Sequence, residues 1–446
     1  MNRVLVVLVC AVVGVTAGTL YLFSAYGPQL AHRLHYSGTD ISLIGFTGSM
    51  GVALSGIPAG VVVDRSIPWA QFLGGLLISL GYFGLKAQFD SQFSSVGLSS
   101  TLTCLIGVGS TLINSAMIKC SAAVFPDNRG TATSFPVATY GLSAFAYSVT
   151  GHWFFGPDTS RFLGYIASSA LVICICGLPV IYYADKQQEV QQRGEDTLEL
   201  EPYVSGASVV HASKSNMTKA QVLRSSRFWI VFSLLGILAG LGQLYIYSCG
   251  LIVKSLYHSS DENEINHAQS FQVSLLSICN CASRLMCGAC GDFIANRLQQ
   301  QRSWIVFVPA FVLLSVQVVC YLVSDYNVLW VSSMLDGVGY GFVWSSIPQL
   351  LLEYFGLEAF SFSWGFVNLS PILPGFLFTR LFGSYYDSNS TWDDIAKSKV
   401  CVKGNSCYNT TYRITFVFSS IALVLAVWIN VRPYVQRRYS QVAQHS

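Results

Sequence analysis

The chain has 446 residues, 52% hydrophobic and only 11% charged, with a net charge of +3 and a mean hydropathy of +0.50. Soluble domains carry roughly 25% charged residues, so an ordinary soluble domain is excluded, and so small a net charge leaves no electrostatic footprint for a nucleic acid. What remains is an all-α polytopic membrane protein in a lipid bilayer.

A membrane-crossing helix needs roughly 20 mostly apolar residues. The first apolar run starts after Met1, Asn2 and Arg3, outruns signal-peptide length and lacks a convincing cleavage site, so it reads as a span. Twelve spans are predicted. The first six are Val4 to Leu30, Ile41 to Val63, Trp69 to Ala87, Leu102 to Val124, Thr133 to Phe155 and Phe162 to Tyr183. A polar stretch, Ala184 to Ser226, then reads as a mobile linker. The second six are Phe228 to Val253, Gln269 to Gly291, Trp304 to Val323, Leu329 to Leu351, Phe360 to Phe382 and Ile414 to Val431. The expected domains are a six-helix bundle over 1–183, a linker over 184–226, a second bundle over 227–431 and a tail over 432–446.

Lys186, Arg193, Lys214, Lys219, Arg224, Arg432, Arg437 and Arg438 bias the linker and tail toward the cytoplasm, which puts both termini there. The loop before the last span then faces away from the cytoplasm. It holds the sequons Asn389-Ser-Thr391 and Asn409-Thr-Thr411. It also holds Cys401 and Cys407, which alone among thirteen cysteines lie outside the apolar spans. Both features suit that face. Used or unused sequons, and a disulfide or two free thiols, stay open.

The second span ends in Gly60-Val-Val-Val-Asp64-Arg65, and the eighth in Gly288-Ala-Cys-Gly-Asp292. The same Gly-x-x-x-Asp at matching places in two halves points to an internal repeat. The glycine permits close helix approach. The acid can cap the next helix, pair with a basic residue across the halves, or simply be solvated.

Polar groups inside spans are costly and therefore informative. Asn280, Arg284, Gly288 and Asp292 recur every four residues and form one stripe. Arg284 lies about 12 Å up the helix from Asp292 at roughly 1.5 Å per residue, too deep to snorkel easily. A cation there suits an anionic solute, because its planar fork matches a carboxylate; a structural arginine is the alternative. Asp336 could accept a proton or balance Arg284, or only pack helices. Lys119 is either a coupling residue or a snorkelling one. Tyr21, Ser24 and Tyr26 could line a cavity, with aromatic packing as the alternative. Glu353 reads as part of an interfacial network.

The cysteines of "CNCASRLMCGACGD", Cys279 to Asp292, raise a zinc or redox reading. On a helix Cys281 faces away from Cys279, Cys287 and Cys290, and His267 is more than two turns from Cys279. They read as small apolar filler, and no metal or cofactor is expected. No phosphate loop, H-E-x-x-H or G-x-S-x-G marks an enzyme.

The repeat and the Asp64-Arg65 turn resemble the major facilitator superfamily, although the later basic residues of its signature are missing. "GTLYLFSAYGPQL", "VFPDNRGTATSF", "LLEYFGLEAFSFSWGF" and "GSYYD" are similar to the nodulin-like branch. "CVKGNSCY" resembles fungal homologues of monocarboxylate transporters assigned to the vacuole membrane. The resemblance implies two pseudo-symmetric six-helix bundles that rock about a central site. It gives Gly60, Asp64, Arg65, Gly288 and Asp292 a place in a cytoplasmic gate and makes Arg284 the ligand of a substrate carboxylate. In monocarboxylate transporters an acid precedes that arginine by four residues; here it is Asn280, which puts proton coupling by the usual residue in doubt. A secondary transporter of a small organic anion follows, working as a monomer in the vacuolar membrane, with the plasma membrane as the other address. A non-transporting sensor or scaffold, and a neutral or cationic solute, are the alternatives.

Overall fold

The computed structural model describes residues 2–36, 38–155, 158–199, 218–256, 262–393, 398–401 and 403–445. These residues are overwhelmingly helical. In chain order the helices of the first half are α1 (Arg3–Ala17), α2 (Phe23–Leu34), α3 (Gly38–Leu54), α4 (Gly56–Arg65), α5 (Ile67–Ser91), α6 (Val96–Val124), α7 (Arg129–Phe155) and α8 (Thr159–Glu199). Those of the second half are α9 (Lys219–Arg224), α10 (Ser226–Leu256), α11 (Glu262–Asn296), α12 (Phe307–Leu322), α13 (Tyr326–Phe355), α14 (Phe360–Val367), α15 (Ile372–Asn389) and α16 (Asn409–His445). Each of the twelve predicted spans coincides with one helix or with a helix broken in two.

Nine helices among the described residues are long and apolar enough to cross a bilayer, and the α3–α4 pair, bent by 47°, makes a tenth. The helices α7 and α13 are 27 and 30 residues long, about 40 and 45 Å at ~1.5 Å per residue. They exceed the roughly 30 Å hydrocarbon thickness, but polar side chains lower their hydropathy. In α13 these include Ser332, Ser333, Asp336, Ser345, Ser346 and Gln349, all buried. Large apolar side chains such as Leu54, Phe145, Tyr247, Ile278, Leu322 and Val424 lie on exposed faces, as an apolar solvent around the helices requires.

Local chemistry sets the helix ends. Asn2 accepts the Val4 N–H at 3.0 Å and caps α1. Ser66 and Ser95 cap α5 and α6 through their hydroxyls, and Pro68 occupies the first turn of α5, where its missing N–H costs nothing. The first part of the predicted linker is helical: α8 runs on to Glu199. Its extension, "ADKQQEVQQRGEDTLE", is polar but rich in good helix formers, so the chain leaves the apolar region without leaving the helix. Residues 200–217 of that linker lie outside the described residues.

The chain divides into two compact units. The first comprises Met1–Val222 with Leu351–Phe366, and the second Leu223–Leu350 with Val367–Ser446. In the first unit, Tyr26, Tyr82, Ile106, Ile113, Leu163 and Ile166 are among the fully buried core residues. There Gly56 lies against the backbone of Gly365, and Gly60 against the carbonyl of Ser361, so a Cβ at either glycine would collide with main chain. The second unit packs α10, α12 and α16 together, with Gln317 of α12 accepting the hydroxyl hydrogen of Thr415 of α16 at 2.7 Å. Its last loop carries a two-stranded antiparallel hairpin, β1 (Thr391–Asp393) and β2 (Ser398–Val400), pairing Thr391 with Val400.

Candidate functional site

The polar stripe of α11 faces inward. Arg284 is 3% exposed and Asp292 6%, Gly288 is buried and Asn280 is half-buried. The guanidinium of Arg284 donates from Nε to Asn280 Oδ1 at 2.8 Å. Asn280 thus orients the arginine as a neutral acceptor and supplies no counter-charge. The helix beneath is tied to α13: Ser345 donates to the Arg284 carbonyl at 2.9 Å, and Ser283 to the carbonyls of Asn280 at 2.9 Å and Gly337 at 3.4 Å. This contact needs the small residues of "DGVGYGF". A Cβ on Gly337 would meet the Leu276 carbonyl and Cys279, and one on Gly341 would meet Ser283 and the Asn280 carbonyl. Small residues four apart therefore set how closely α13 supports the arginine.

Both Gly-x-x-x-Asp acids make ion pairs inside their own unit. Asp64 accepts from Lys119 Nζ at 2.8 Å, and Asp292 from Arg302 at 2.9 Å. Lys119, read from sequence as a coupling or snorkelling residue, is thus engaged with Asp64. The next helix, α5, is capped by Ser66 and not by Asp64. Arg65 ends α4, exposed, where its charge complements the C-terminal dipole.

Asp336 is fully buried, and both carboxylate oxygens lack a hydrogen-bond partner among the described residues. It therefore does not pair with Arg284. Of the cysteines, Cys287 is buried and approaches the Phe342 carbonyl and Gln349 of α13. No group of three or more His, Cys, Asp or Glu side chains gathers as a metal site among the described residues.

In the first unit Tyr21 is 48% exposed and lies edge-on to Tyr140, with ring centroids 5.6 Å apart. Tyr26 is fully buried and edge-on to Tyr82 at 6.0 Å. That place fits the aromatic-packing alternative of the two readings the sequence allowed. The side chain of Ser24 lies outside the described residues. Glu353, near the end of α13, is exposed.

Cys401 and Cys407 form a disulfide with Cα atoms 6.0 Å apart. The loop is anchored by Tyr386 Oη, which accepts the Cys401 N–H at 3.4 Å, and by Asn405, which donates to Ser324 at 3.0 Å. Asn389 ends α15 half-buried and donates to the Tyr385 carbonyl at 2.9 Å; Asn409 begins α16, also half-buried.

The family model of the Major Facilitator Superfamily matches residues 7–379. The chain belongs to the major facilitator superfamily. It is 27% identical to "Uncharacterized membrane protein YMR155W" of Saccharomyces cerevisiae, over 96% of this chain and 94% of that one. It is 25% identical to "Probable transporter MCH1" of Wickerhamomyces anomalus, over 83% and 77%. Among solved structures it is similar to the proton:xylose symporter XylE (TM-score 0.67, 14% identity, 94% of each chain). It is also similar to the transporter FucP in the outward conformation (TM-score 0.61, 12% identity, 95% of this chain and 99% of that one). Those likenesses speak to fold alone. Superfamily membership makes the chain an integral multi-pass transporter and not an enzyme.

One feature of the first span escaped sequence reasoning. The first span is interrupted by a 3-10 turn, Gly18–Leu22, between α1 and α2. The interruption strands carbonyls that hydrocarbon cannot satisfy. Tyr82 of α5 donates to the Thr19 carbonyl at 2.8 Å, and Ser110 of α6 donates to that of Ala17. The clue was Gly18 flanked by Thr16 and Thr19, both of which bond back to main-chain carbonyls. Tyr82→Phe keeps the ring contact with Tyr26 but orphans the Thr19 carbonyl. It should cost about 1–3 kcal/mol, read as a lowered unfolding temperature of the purified protein.

Proposed function

We propose that this chain is a secondary transporter of a small organic anion, a monocarboxylate being the leading class, working by alternating access. The observation that supports this best is Arg284: a buried cation deep in a span, oriented by Asn280 and backed by Ser345. A fixed guanidinium offers a carboxylate two parallel N–H donors, and burial strengthens that recognition. The names of the "Probable transporter MCH1" relatives favour transport over a sensor or scaffold role. Asn280 is the second substrate-site residue, and Tyr21, whose ring is half exposed, is the one drawn from the first span. Gly60, Asp64, Arg65, Gly288 and Asp292 form the cytoplasmic gate in this reading, with both termini on that side. The vacuolar membrane is the proposed address, the monomer the working unit, and Asn409 and Asn389 the glycan acceptors.

The test is uptake into vesicles from cells lacking or overexpressing the protein, across a panel of labelled organic anions, with and without a pH gradient. Overexpression should raise uptake of at least one monocarboxylate. Transport confined to a sugar or a cation, independent of Arg284, would replace the anion reading. A fluorescent fusion at the plasma membrane would remove the vacuolar address.

A further inference from the structure

The second unit contains a buried acid with an environment unlike that of any other described in-span carboxylate. Asp64 and Asp292 each face a basic partner at 2.8–2.9 Å, whereas Asp336 has no hydrogen-bond donor on either oxygen among the described residues. The groups facing it come from three helices. Tyr245 and Cys249 of α10, Cys320 of α12 and Tyr412 of α16 all lie close enough to interact with it electrostatically. On the α11 side, the neighbouring Gly337 packs on Leu276 and Cys279. Every one of these titratable groups is ordinarily neutral near pH 7, so none supplies a counter-charge.

The Tyr245–Ser333 hydroxyl pair is committed elsewhere. Ser333 gives its hydrogen to Gln272 Oε1 at 2.7 Å, so the 2.7 Å contact between Tyr245 and Ser333 must be donated by the tyrosine. Tyr245 thereby commits its only hydrogen away from Asp336. An ionised carboxylate with no donor and no cation in a buried span is strongly disfavoured. A neutral carboxylic acid is the form this site accommodates.

Tyrosine rings link the disulfide loop to the surroundings of Asp336. Tyr408 follows Cys407 of the disulfide loop, is 1% exposed and stacks on Phe382 at 6.0 Å. It meets Tyr412 edge-on at 5.7 Å, and Tyr412 in turn adjoins Cys320, Tyr245 and Asp336. The hydroxyls of Tyr408 and Tyr412 are both buried without a partner among the described residues. Two buried tyrosine rings in succession therefore stand between the disulfide loop and the groups around the carboxyl.

We propose that Asp336 is the proton-binding site of this transporter, loaded through Tyr408 and Tyr412 from the disulfide-loop side. This rests on the transport reading above and supplies the acid that Asn280 is not. One proton adds to the Asp336 carboxylate to give the neutral acid, and the same proton leaves when the carboxylate re-forms; no other bond changes.

The test uses the full chain in lipid and needs no substrate. Infrared spectra at neutral pH should show a protonated-carboxyl C=O band that disappears in Asp336→Asn and returns in Asp336→Glu. Tyr412→Phe should keep the band but slow its shift on transfer to heavy water. A band unchanged in Asp336→Asn, absent at neutral pH, or removed by sodium chloride at constant pH would overturn the proposal; the last would make this a sodium site. An unaltered exchange rate in Tyr412→Phe would overturn the route. In vesicles, labelled L-lactate separates the two readings. Proton-stimulated uptake that persists in Asp336→Asn sinks the proton site and leaves transport standing. A normal carboxyl band with no uptake of any anion sinks the organic-anion reading and leaves the site.

Discussion

Arg284→Lys should reduce uptake of the transported anion by roughly one to two orders of magnitude while leaving the protein folded and in its membrane. The substitution preserves charge and much of the length, so a purely electrostatic role would survive it. Arginine performs two tasks here that lysine cannot combine. Its Nε–H is held by Asn280 Oδ1 at 2.8 Å, which sets the plane in which the rest of the fork is presented. A lysine ammonium is a rotating point charge and has no fixed plane to present. Losing one hydrogen bond to a charged group costs about 1.5–3 kcal/mol, which is the fold-change stated. Asn280→Ala should be milder, because it loosens the arginine without removing it. Initial rates across a range of anion concentrations check both. Kinetics unchanged in Arg284→Lys would return the arginine to a structural role.

The second large effect concerns stability. Arg302→Ala leaves Asp292, 6% exposed, without the guanidinium at 2.9 Å that balances it. Removing one member of a buried ion pair typically costs about 3–5 kcal/mol, because the other charge stays buried. The thermal unfolding temperature of the purified protein should fall sharply. Replacing both members, with Asp292→Leu beside Arg302→Met, should recover most of the loss, since no lone charge remains. Lys119→Ala is the internal control. Its partner Asp64 has a side chain 18% exposed against 8% for Asp292, so the cost should be smaller. If Lys119→Ala is as damaging as Arg302→Ala, burial is not what distinguishes the two pairs.

Much of this protein was legible from its residues. Twelve apolar stretches became helices where they were expected, because in hydrocarbon each segment must satisfy its own backbone hydrogen bonds. The four-residue recurrence of Asn280, Arg284, Gly288 and Asp292 placed those groups along one inward stripe for the same local reason. Detail was missed where local chemistry carried two meanings. The polar run after Tyr183 read as a mobile linker with no secondary structure assigned to it, and its Gln, Glu and Lys residues propagate α8 to Glu199. Polarity reports that a segment leaves the membrane; it says nothing about whether the helix stops there. The turn at Gly18–Leu22 was hidden inside an unbroken apolar run, because hydropathy does not register a change in hydrogen-bond pattern.

By itself, then, the sequence determined which segments form long helices, which residues of each helix are polar, and where two halves repeat a Gly-x-x-x-Asp ending. Only the tertiary structure decided what each polar residue meets. It gave Asp64 to Lys119 and Asp292 to Arg302, put Tyr26 into the core beside Tyr82, and left Asp336 among neutral groups without a donor. The reason is geometric. Periodicity along one helix specifies the direction in which a side chain points, but the partner standing there comes from another helix, often more than fifty residues away in the chain. Whether a buried charge is balanced, oriented or stranded is therefore a property of helix packing.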